Sequence, residues 1–191
     1  MRQIAERAGV AEQTVYNAFG DKAGILWNAG MMFIAVGGDP NDAALLKALR
    51  AEPDPGKRIR ILASDSRDFW AERADAVLEL ERLGFDPELR DPRLEELGKR
   101  GLAYKLASTR AACELLFPDG TRHPDISLDD IVRFLTAVDS AATVITLRNL
   151  GWDIDKWESW LVQLLTLFLD PREGYGSPES EQIEPERGRT P

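Results

Sequence analysis

Apolar residues recur every three to four positions along most of this chain, which is the spacing of one face of an α-helix. The first third predicts short helices at 2–8 and 13–19, joined by a turn that contains Gly9. A longer helix follows from its cap Asp21 to position 36, and a Gly-Gly-Asp-Pro break at 37–40 ends it. No alternating pattern of strand length occurs, so the sequence predicts an all-α fold.

The remaining two thirds predict further helices, several of them with a recognisable first residue. We place them at about 43–51, 55–73, 75–84, 92–117, 128–149 and 154–169. Asp91 with Pro92, Ser127 and Asp153 start the last three, because Asp and Ser side chains accept hydrogen bonds from the free N–H groups of a first turn. Residues 171–191 hold four prolines and three glycines with few apolar groups, so we expect a disordered tail there.

Three of these helices carry an apolar stripe that we expect to face the core. The stripes consist of Ile59, Leu62, Ser66, Phe69 and Trp70; of Leu102, Leu106, Thr109, Cys113 and Leu116; and of Ile131, Leu135, Val138, Ala142 and Ile145. The final helix is rich in tryptophan and leucine, so it too has a large surface to bury.

The composition fits one compact domain with a small appendage, since 43% of the 191 residues are hydrophobic and 30% are charged. The formal net charge of −9 argues against a surface covered by nucleic acid, but it leaves room for a local DNA-binding patch. A single cysteine, Cys113, and a single histidine, His123, cannot form a disulfide or a Cys/His zinc site. We therefore expect a reducing compartment, no metal and no cofactor.

The chain predicts neither a membrane segment nor a signal peptide. Its longest uncharged stretch, 23–38, contains Asn28 and four glycines and falls short of the roughly 20 apolar residues that span a bilayer. The N-terminal residues MRQIAER lack the apolar core of a signal peptide. A cytoplasmic location is the resulting expectation.

The second short helix has two opposite faces. At about 100° per residue, Val15, Ala18 and Phe19 fall on one side of it. Gln13 and Asn17 fall on the opposite side. We expect the two amides to project away from the protein while Val15 and Phe19 are held beneath them.

A helix of this kind suits the major groove of DNA, because asparagine and glutamine amides pair with base edges and hydroxyl groups bind phosphates. Thr14 and Tyr16 supply hydroxyls on either side of the amides. Lys22, in the first turn of the next helix, adds a positive charge where a backbone phosphate can lie.

The first three predicted helices contain the string Ile4-Ala5-x-x-Ala8-Gly9-Val10-x-x-x-Thr14-Val15-Tyr16-x-x-Phe19-x-Asp21-Lys22-x-x-Ile25-Leu26. This string closely resembles the helix-turn-helix signature of the TetR family of bacterial transcription regulators. The resemblance implies that Gln13 and Asn17 contact bases and that Thr14, Tyr16 and Lys22 contact phosphates. It also makes Gly9 the turn glycine.

The helical region that follows is similar in length, and in its two strongly apolar last helices, to that family's ligand-binding and dimerisation domain. The resemblance implies a partial helix-turn-helix domain with its connecting helix at 1–36. A helical effector-binding and dimerisation domain then occupies 37–170, and the tail occupies 171–191.

Two departures from the family pattern bear on DNA binding. Family members carry a first helix before the Ile-Ala phrase, whereas this chain starts at Met1. We therefore expect an incomplete DNA-binding domain. Without the first helix, Ile4, Val15 and Phe19 would be exposed. A misassigned start codon or a shortened product is the preferred explanation, and a genuine loss of DNA binding is the alternative. A stop codon immediately before Met1, with no helix-coding stretch, would rule out a misassigned start. Ala11 stands where the family places a capping serine. An alanine in place of that serine weakens the helix by about 1 kcal/mol.

The N-terminal segment has no net charge of its own. Its first 28 residues hold three basic and three acidic side chains, namely Arg2, Arg7, Lys22, Glu6, Glu12 and Asp21. This segment alone therefore attracts DNA only weakly, and the missing segment would have to supply the attraction.

The last two predicted helices carry apolar groups on more than one side, which favours a symmetric homodimer with a four-helix interface. Ordinary core packing is the alternative. The candidate interface residues are Leu135, Val138, Ala142, Ile145, Trp157, Trp160, Leu161 and Leu164.

Small polar groups and aromatic rings on otherwise apolar stripes suit an effector pocket with a few orienting hydrogen bonds. The candidates are Ser66, Phe69, Trp70, Tyr104, Thr109 and Cys113. Structural packing is the alternative for each of them. The effector implied is a lipophilic small molecule.

The sequence thus predicts a ligand-responsive transcriptional regulator, a repressor that binds a near-palindromic double-stranded DNA operator as a homodimer. The alternative is a helical dimer that binds a small molecule or a partner protein and has lost DNA binding. Neighbouring acids such as Glu95 and Glu96 point about 100° apart on a helix, and no serine, cysteine or histidine constellation for a nucleophile occurs, so we do not expect an enzyme.

Overall fold

The computed structural model describes residues 1–36, 44–84 and 91–170, and the regular structure in these ranges is helical throughout. The helices are α1 Arg2–Ala8, α2 Glu12–Phe19, α3 Lys22–Val36, α4 Ala44–Ala51, α5 Pro55–Gly84, α6 Pro92–Leu116, α7 Leu128–Val138, α8 Ala141–Asn149 and α9 Ile154–Thr166. Within the same ranges, strand-like pairing is confined to one isolated antiparallel bridge between Arg122 and Leu169. The prediction of an all-α fold is confirmed.

The predicted helix starts are confirmed by their hydrogen bonds. The side chain of Asp21 accepts a bond from Gly24 N at 2.7 Å, and that of Asp91 accepts one from Arg93 N at 2.9 Å. Ser127 and Asp153 cap α7 and α9 in the same way. These starts were predictable because a cap is a local device that needs only one side chain and the next turn of backbone.

Two predicted helix boundaries are wrong. The helices predicted at 55–73 and 75–84 form one continuous helix, α5, since no proline or glycine interrupts the sequence between them. The helix predicted at 128–149 is broken between α7 and α8. There Ser140 begins a new helix by accepting a bond from Thr143 N, and the carboxylate of Asp139 bonds to two side chains of α5.

Other predictions lie outside the described residues. These are the glycine and proline break at 37–40 and the disordered tail at 171–191.

Helix α5 is the centre of the molecule, because α4, α6, α8 and α9 all pack against it. The largest fully buried side chains include Leu49, Ile59, Leu116, Ile131 and Trp157, which come from five different helices. The core therefore lies around α5, and α7 closes it through its contact with α6.

All three predicted stripes turn only partly inward. In the third, which is divided between α7 and α8, Ile131 and Leu135 are buried whereas Ala142 is exposed. On α5 the stripe is buried except for Phe69, which is 39% exposed. On α6 Cys113 and Leu116 are buried, whereas Leu102 and Leu106 are 53% and 37% exposed. The reason is that no residue of α6 between Leu97 and Ala112 is buried, so the middle of this helix stands off the core.

The N-terminal helices join the rest of the chain through α3 and α6. Gly30 of α3 lies so close to Leu97 that an added Cβ would come within 2.4 Å of its side chain. The backbone of α3 therefore packs directly onto α6.

Candidate nucleic-acid interface

The turn between α1 and α2 depends on Gly9. This residue has φ of +67°, a conformation that side chains rarely adopt, and it ends α1. Val10 N then donates to Ala5 O at 3.1 Å, which folds the chain back over α1. Ala5 and Val15 are buried between the two helices at 3% and 4% exposure.

The start of α2 has no side-chain cap. Ala11 is extended and offers no side-chain acceptor to the first turn of the helix. Thr14 N donates instead to the Ala11 carbonyl at 2.9 Å. The absence of a capping side chain, expected from the sequence, is confirmed.

The outer face of α2 carries every residue that the sequence predicts to contact DNA in this helix. Gln13, Thr14, Tyr16 and Asn17 are all exposed. The expectation for the inner face holds only in part, because Val15 is buried while Phe19 is 38% exposed. The expected exposure of Val15 is wrong, since α1 covers it through Ala5. Ile4 and Val10 are also more than 40% exposed, so the two short helices present apolar surface as well as polar surface.

The two outward amides are bonded to each other. Gln13 Nε2 donates to Asn17 Oδ1 at 2.9 Å, across one turn of helix. Gln13 keeps its carbonyl oxygen and one N–H, and Asn17 keeps its NH₂ group. This leaves an acceptor beside donors, which is the combination that complements the N6 donor and N7 acceptor of adenine.

An ion pair fixes the start of α3 to α6. Arg93 Nη2 donates to both carboxylate oxygens of Asp21, at 2.9 and 2.8 Å, and also holds Asp91 at 2.7 Å. The hydrogen bond from Arg93, with that from Gly24 N, lowers the pKa of Asp21. Lys22 lies beside this pair and is exposed. The sequence analysis missed Arg93, because 72 residues separate it from Asp21 and no local pattern links them.

Two of the three charged side chains of α1 pair with each other. Arg2 pairs with Glu6 at 3.2 Å, and both side chains are largely exposed. An exposed pair of this kind is nearly neutral to an approaching polyanion. Arg7 at the end of α1 and Lys22 at the start of α3, both exposed, are therefore the cations that this segment offers to DNA.

The effector candidates divide into three groups. Ser66 and Trp70 are buried and meet at Asp139, where Ser66 Oγ donates at 2.6 Å and Trp70 Nε1 also donates. Phe69 packs edge-on against Trp70 at 4.7 Å between ring centroids. Tyr104 and Thr109 are half-buried on α6.

The sixth effector candidate, Cys113, is fully buried in the core. Burial raises the pKa of its thiol to about 12, so it is a packed, unreactive side chain.

Asp139 is the residue of this region that sequence reasoning missed. Burial raises the pKa of its carboxyl, and the bonds from Ser66 and Trp70 together with the charge of Lys105 oppose the rise. Lys105 Nζ lies 5.9 Å from the centroid of the Trp70 ring. Burial lowers the pKa of Lys105, while Asp139 and Glu81 favour its charged form.

Replacement of Asp139 by asparagine should change how stability depends on pH. The pKa of Asp139 is higher in the folded chain than in the unfolded chain, where it is about 3.9. The wild type therefore loses stability as the pH rises through the folded-state pKa, because the buried carboxyl must then ionise. Asp139→Asn removes the ionisation. The variant should not lose this stability. Compared with the wild type, its free energy of unfolding should therefore be higher near neutral pH than at about pH 4. Urea titrations at both pH values measure it, with Asp125→Asn as control, and equal differences would contradict the expectation.

The dimer candidates also separate by burial. Leu135, Trp157 and Leu161 are buried in the chain's own core and are not available to a partner. Ala142 is exposed, and Val138, Ile145, Trp160 and Leu164 are half-buried. The surface near α8 and α9 also includes Leu150 and Leu167, which are 72% and 71% exposed.

A surface cleft of about 580 Å³ lies at the loop between α6 and α7, and Arg122, His123 and Asp170 are among its lining residues. None of the six effector candidates lines it.

In the described ranges, no three His, Cys, Asp or Glu side chains are grouped to hold a metal ion. None of the described helices combines the length and the apolar character needed to cross a membrane.

Comparison with known proteins gives one match. Residues 1–27 match the family model of bacterial regulatory proteins of the tetR family. The matched range contains α1, α2 and the first turns of α3, and therefore all five residues that the sequence predicts to contact DNA. No curated protein and no solved structure matches the chain.

Proposed function

We propose that this chain, whose residues 1–27 match the family model of bacterial regulatory proteins of the tetR family, represses transcription by binding a near-palindromic operator as a homodimer. The observation that carries the proposal is the outer face of α2, where Gln13 and Asn17 are exposed and Val15 anchors the helix from beneath. Two such helices in a symmetric dimer would enter successive major grooves about 34–36 Å apart.

The experiment that tests DNA binding uses the full chain and the duplex upstream of its own gene. Fluorescence anisotropy at low salt should show tighter binding to this duplex than to a scrambled duplex of equal length. Affinity for both should fall as salt rises, since phosphate contacts release counterions. Equal affinity for the two duplexes would contradict sequence-specific regulation.

The dimer surface that we propose consists of the exposed and half-buried candidates on α8 and α9. The rings of Trp152 and Trp160 pack edge-on at 6.1 Å where the two helices meet, beside the exposed Leu150. Apolar side chains that are grouped on a surface in this way favour contact with a partner.

Sedimentation provides a prediction for this surface. The wild-type chain at micromolar concentration should sediment at twice the 21.3 kDa mass of the chain. Ala142→Glu places a charge on the proposed interface and should give the monomer. Ala48→Glu makes the same change on the exposed face of α4 and should leave the dimer intact. A monomeric wild type, or equal effects of the two variants, would contradict the interface.

Effector response requires a link between the helical body and α2, and α6 supplies one. Its first two turns hold α3 through Arg93 and Leu97, and α3 contacts α2 directly. Its middle carries Lys105 beside Trp70. An effector that displaces the middle of α6 would shift α3 and with it α2. The effector changes DNA affinity only if it binds more tightly to the chain with α2 in one position than to the chain with α2 in the other.

A second candidate function is a DNA-independent dimer that binds a small molecule or a partner protein. The exposed apolar side chains of Ile4, Val10 and Phe19 and the lack of net charge in the first 28 residues favour it. Absence of salt-dependent DNA affinity, together with ligand binding that raises the melting temperature, would select this function over the first.

A further inference from the structure

The middle of α6 and the facing side of α5 form a partly open cluster, which we call the Trp70 cluster: Phe69, Trp70, Leu102, Lys105 and Asp139. The apolar members Phe69 and Leu102 are 39% and 53% exposed. Leu102 lies about 60° from Lys105 around the axis of α6, so the two side chains share one side of the helix. The cluster therefore combines solvent-accessible apolar surface with charged groups set deeper in the protein.

The polar part of the cluster is incompletely paired. Asp139 accepts bonds from the neutral donors Ser66 Oγ and Trp70 Nε1, neither of which cancels its charge. Lys105 is the cation that acts on Asp139 at longer range, and its ammonium makes no hydrogen bond to any described residue. It lies over the Trp70 ring as a cation–π contact.

Negative charge is in excess around Lys105. Asp139 and Glu81 both act on the ammonium, and Asp65 acts on Asp139 as a like charge. Two carboxylates thus act on one ammonium. Arg73 lies over the Phe69 ring, at 5.3 Å from its centroid, and pairs with Glu72.

We propose that the Trp70 cluster binds a lipophilic cation, with its charge near Asp139 and the face of Trp70 and its apolar body against Phe69 and Leu102. The bound cation takes the place that Lys105 now holds over the indole ring, and the displaced ammonium turns to solvent. Aromatic rings and a carboxylate together stabilise a poorly hydrated cation, because such a cation loses little hydration on entering. Binding itself does not depend on the proposed regulatory function; only the role of this ligand as the effector does.

The same charges disfavour a lipophilic anion. An anion would need Lys105, which Asp139 and Glu81 already attract, and it would leave the Asp139 carboxylate without a nearby cation. Repulsion between the anion and the Asp139 carboxylate in a partly buried site opposes the gain from apolar contact with Phe69 and Leu102.

Two probes of nearly equal shape and opposite charge test the proposal. The full chain is titrated calorimetrically, without DNA, with tetraphenylphosphonium and separately with tetraphenylborate. Tetraphenylphosphonium should bind more tightly by about tenfold or more. Equal binding of the two probes, or tighter binding of tetraphenylborate, would overturn the proposal.

Three variants locate the site. Asp139→Asn should weaken tetraphenylphosphonium binding by about tenfold, whereas Asp125→Asn, an equal charge change in an exposed loop, should not alter it. Lys105→Gln removes the resident ammonium and should tighten binding by about threefold. If Asp139→Asn does not fold, as judged by circular dichroism, Lys105→Gln decides: tighter binding supports the proposal, and unchanged or weaker binding overturns it. A chain that binds the cation but never binds DNA would contradict only the regulatory function.

Discussion

Replacement of Gln13 and Asn17 together by alanine is expected to lower the affinity for the specific duplex by about a hundredfold, since each amide that pairs with a base contributes about 1–3 kcal/mol. Both side chains are exposed and, within the described ranges, bond only to each other, so their loss should leave the free energy of unfolding almost unchanged. Anisotropy titrations against the specific and scrambled duplexes measure the effect.

The matched control is Gln163→Ala, which removes an exposed amide from α9, far along the chain from the proposed interface. It should not change DNA affinity. Affinity for the scrambled duplex should also change little in the double variant, because Thr14, Tyr16 and Lys22, which we propose as phosphate contacts, are unchanged. A double variant that binds the specific duplex as tightly as the wild type would contradict base contact by α2.

The second large effect is expected at Gly24, in the first turn of α3. A Cβ at this position would lie 1.9 Å from the carbonyl oxygen of Phe19, the last residue of α2. A backbone atom cannot move aside as a side chain can, so Gly24→Ala must change the junction of α2 and α3. We expect a loss of about 1–3 kcal/mol in the free energy of unfolding, together with the loss of specific DNA binding.

Gly101→Ala provides the control for this substitution. A Cβ added to Gly101, in the middle of α6, meets no atom within 4 Å. Since alanine favours a helix over glycine, this variant should be more stable by about 0.5–1 kcal/mol. Specific DNA binding by Gly24→Ala at wild-type affinity would show that the α2–α3 junction does not position the DNA-contacting face.

Local signals predicted much of this fold. The caps at Asp21, Asp91, Ser127 and Asp153 were recoverable because each depends on one side chain and the turn that follows it. The amphipathic period of α2 likewise predicted that Gln13 and Asn17 would be exposed and that Val15 would be buried, but it also placed Phe19 on the inner side, where the structure leaves it 38% exposed.

Features that depend on distant contacts were not predictable in this way. The break between α7 and α8 follows in part from bonds that Asp139 makes to α5, about 70 residues earlier in the chain. The ion pair of Arg93 with Asp21 similarly joins two helices that are far apart in sequence. Periodicity assigns residues to a face of a helix, but it does not say whether another helix covers that face. Leu102, Leu106 and Phe69 belong to apolar stripes and are nevertheless exposed for this reason.

Helix α6 connects two of these distant contacts. One end of the helix holds α3, and its middle carries the ammonium that faces Trp70 and Asp139. Ligand binding at the Trp70 cluster and the position of α2 are thereby linked through a single rigid element, which is the arrangement that a ligand-dependent change in DNA affinity requires.

Photo-crosslinking from position 17 tests most directly whether α2 faces DNA. A photoreactive amino acid replaces Asn17 in the full chain, and the same amino acid replaces Ser159 on the exposed side of α9 in a control. On the duplex upstream of the gene, position 17 should crosslink to bases of the major groove, and position 159 should give no crosslink. Equal crosslinking from the two positions, or none from position 17 under conditions in which the chain is bound, would contradict DNA contact by α2.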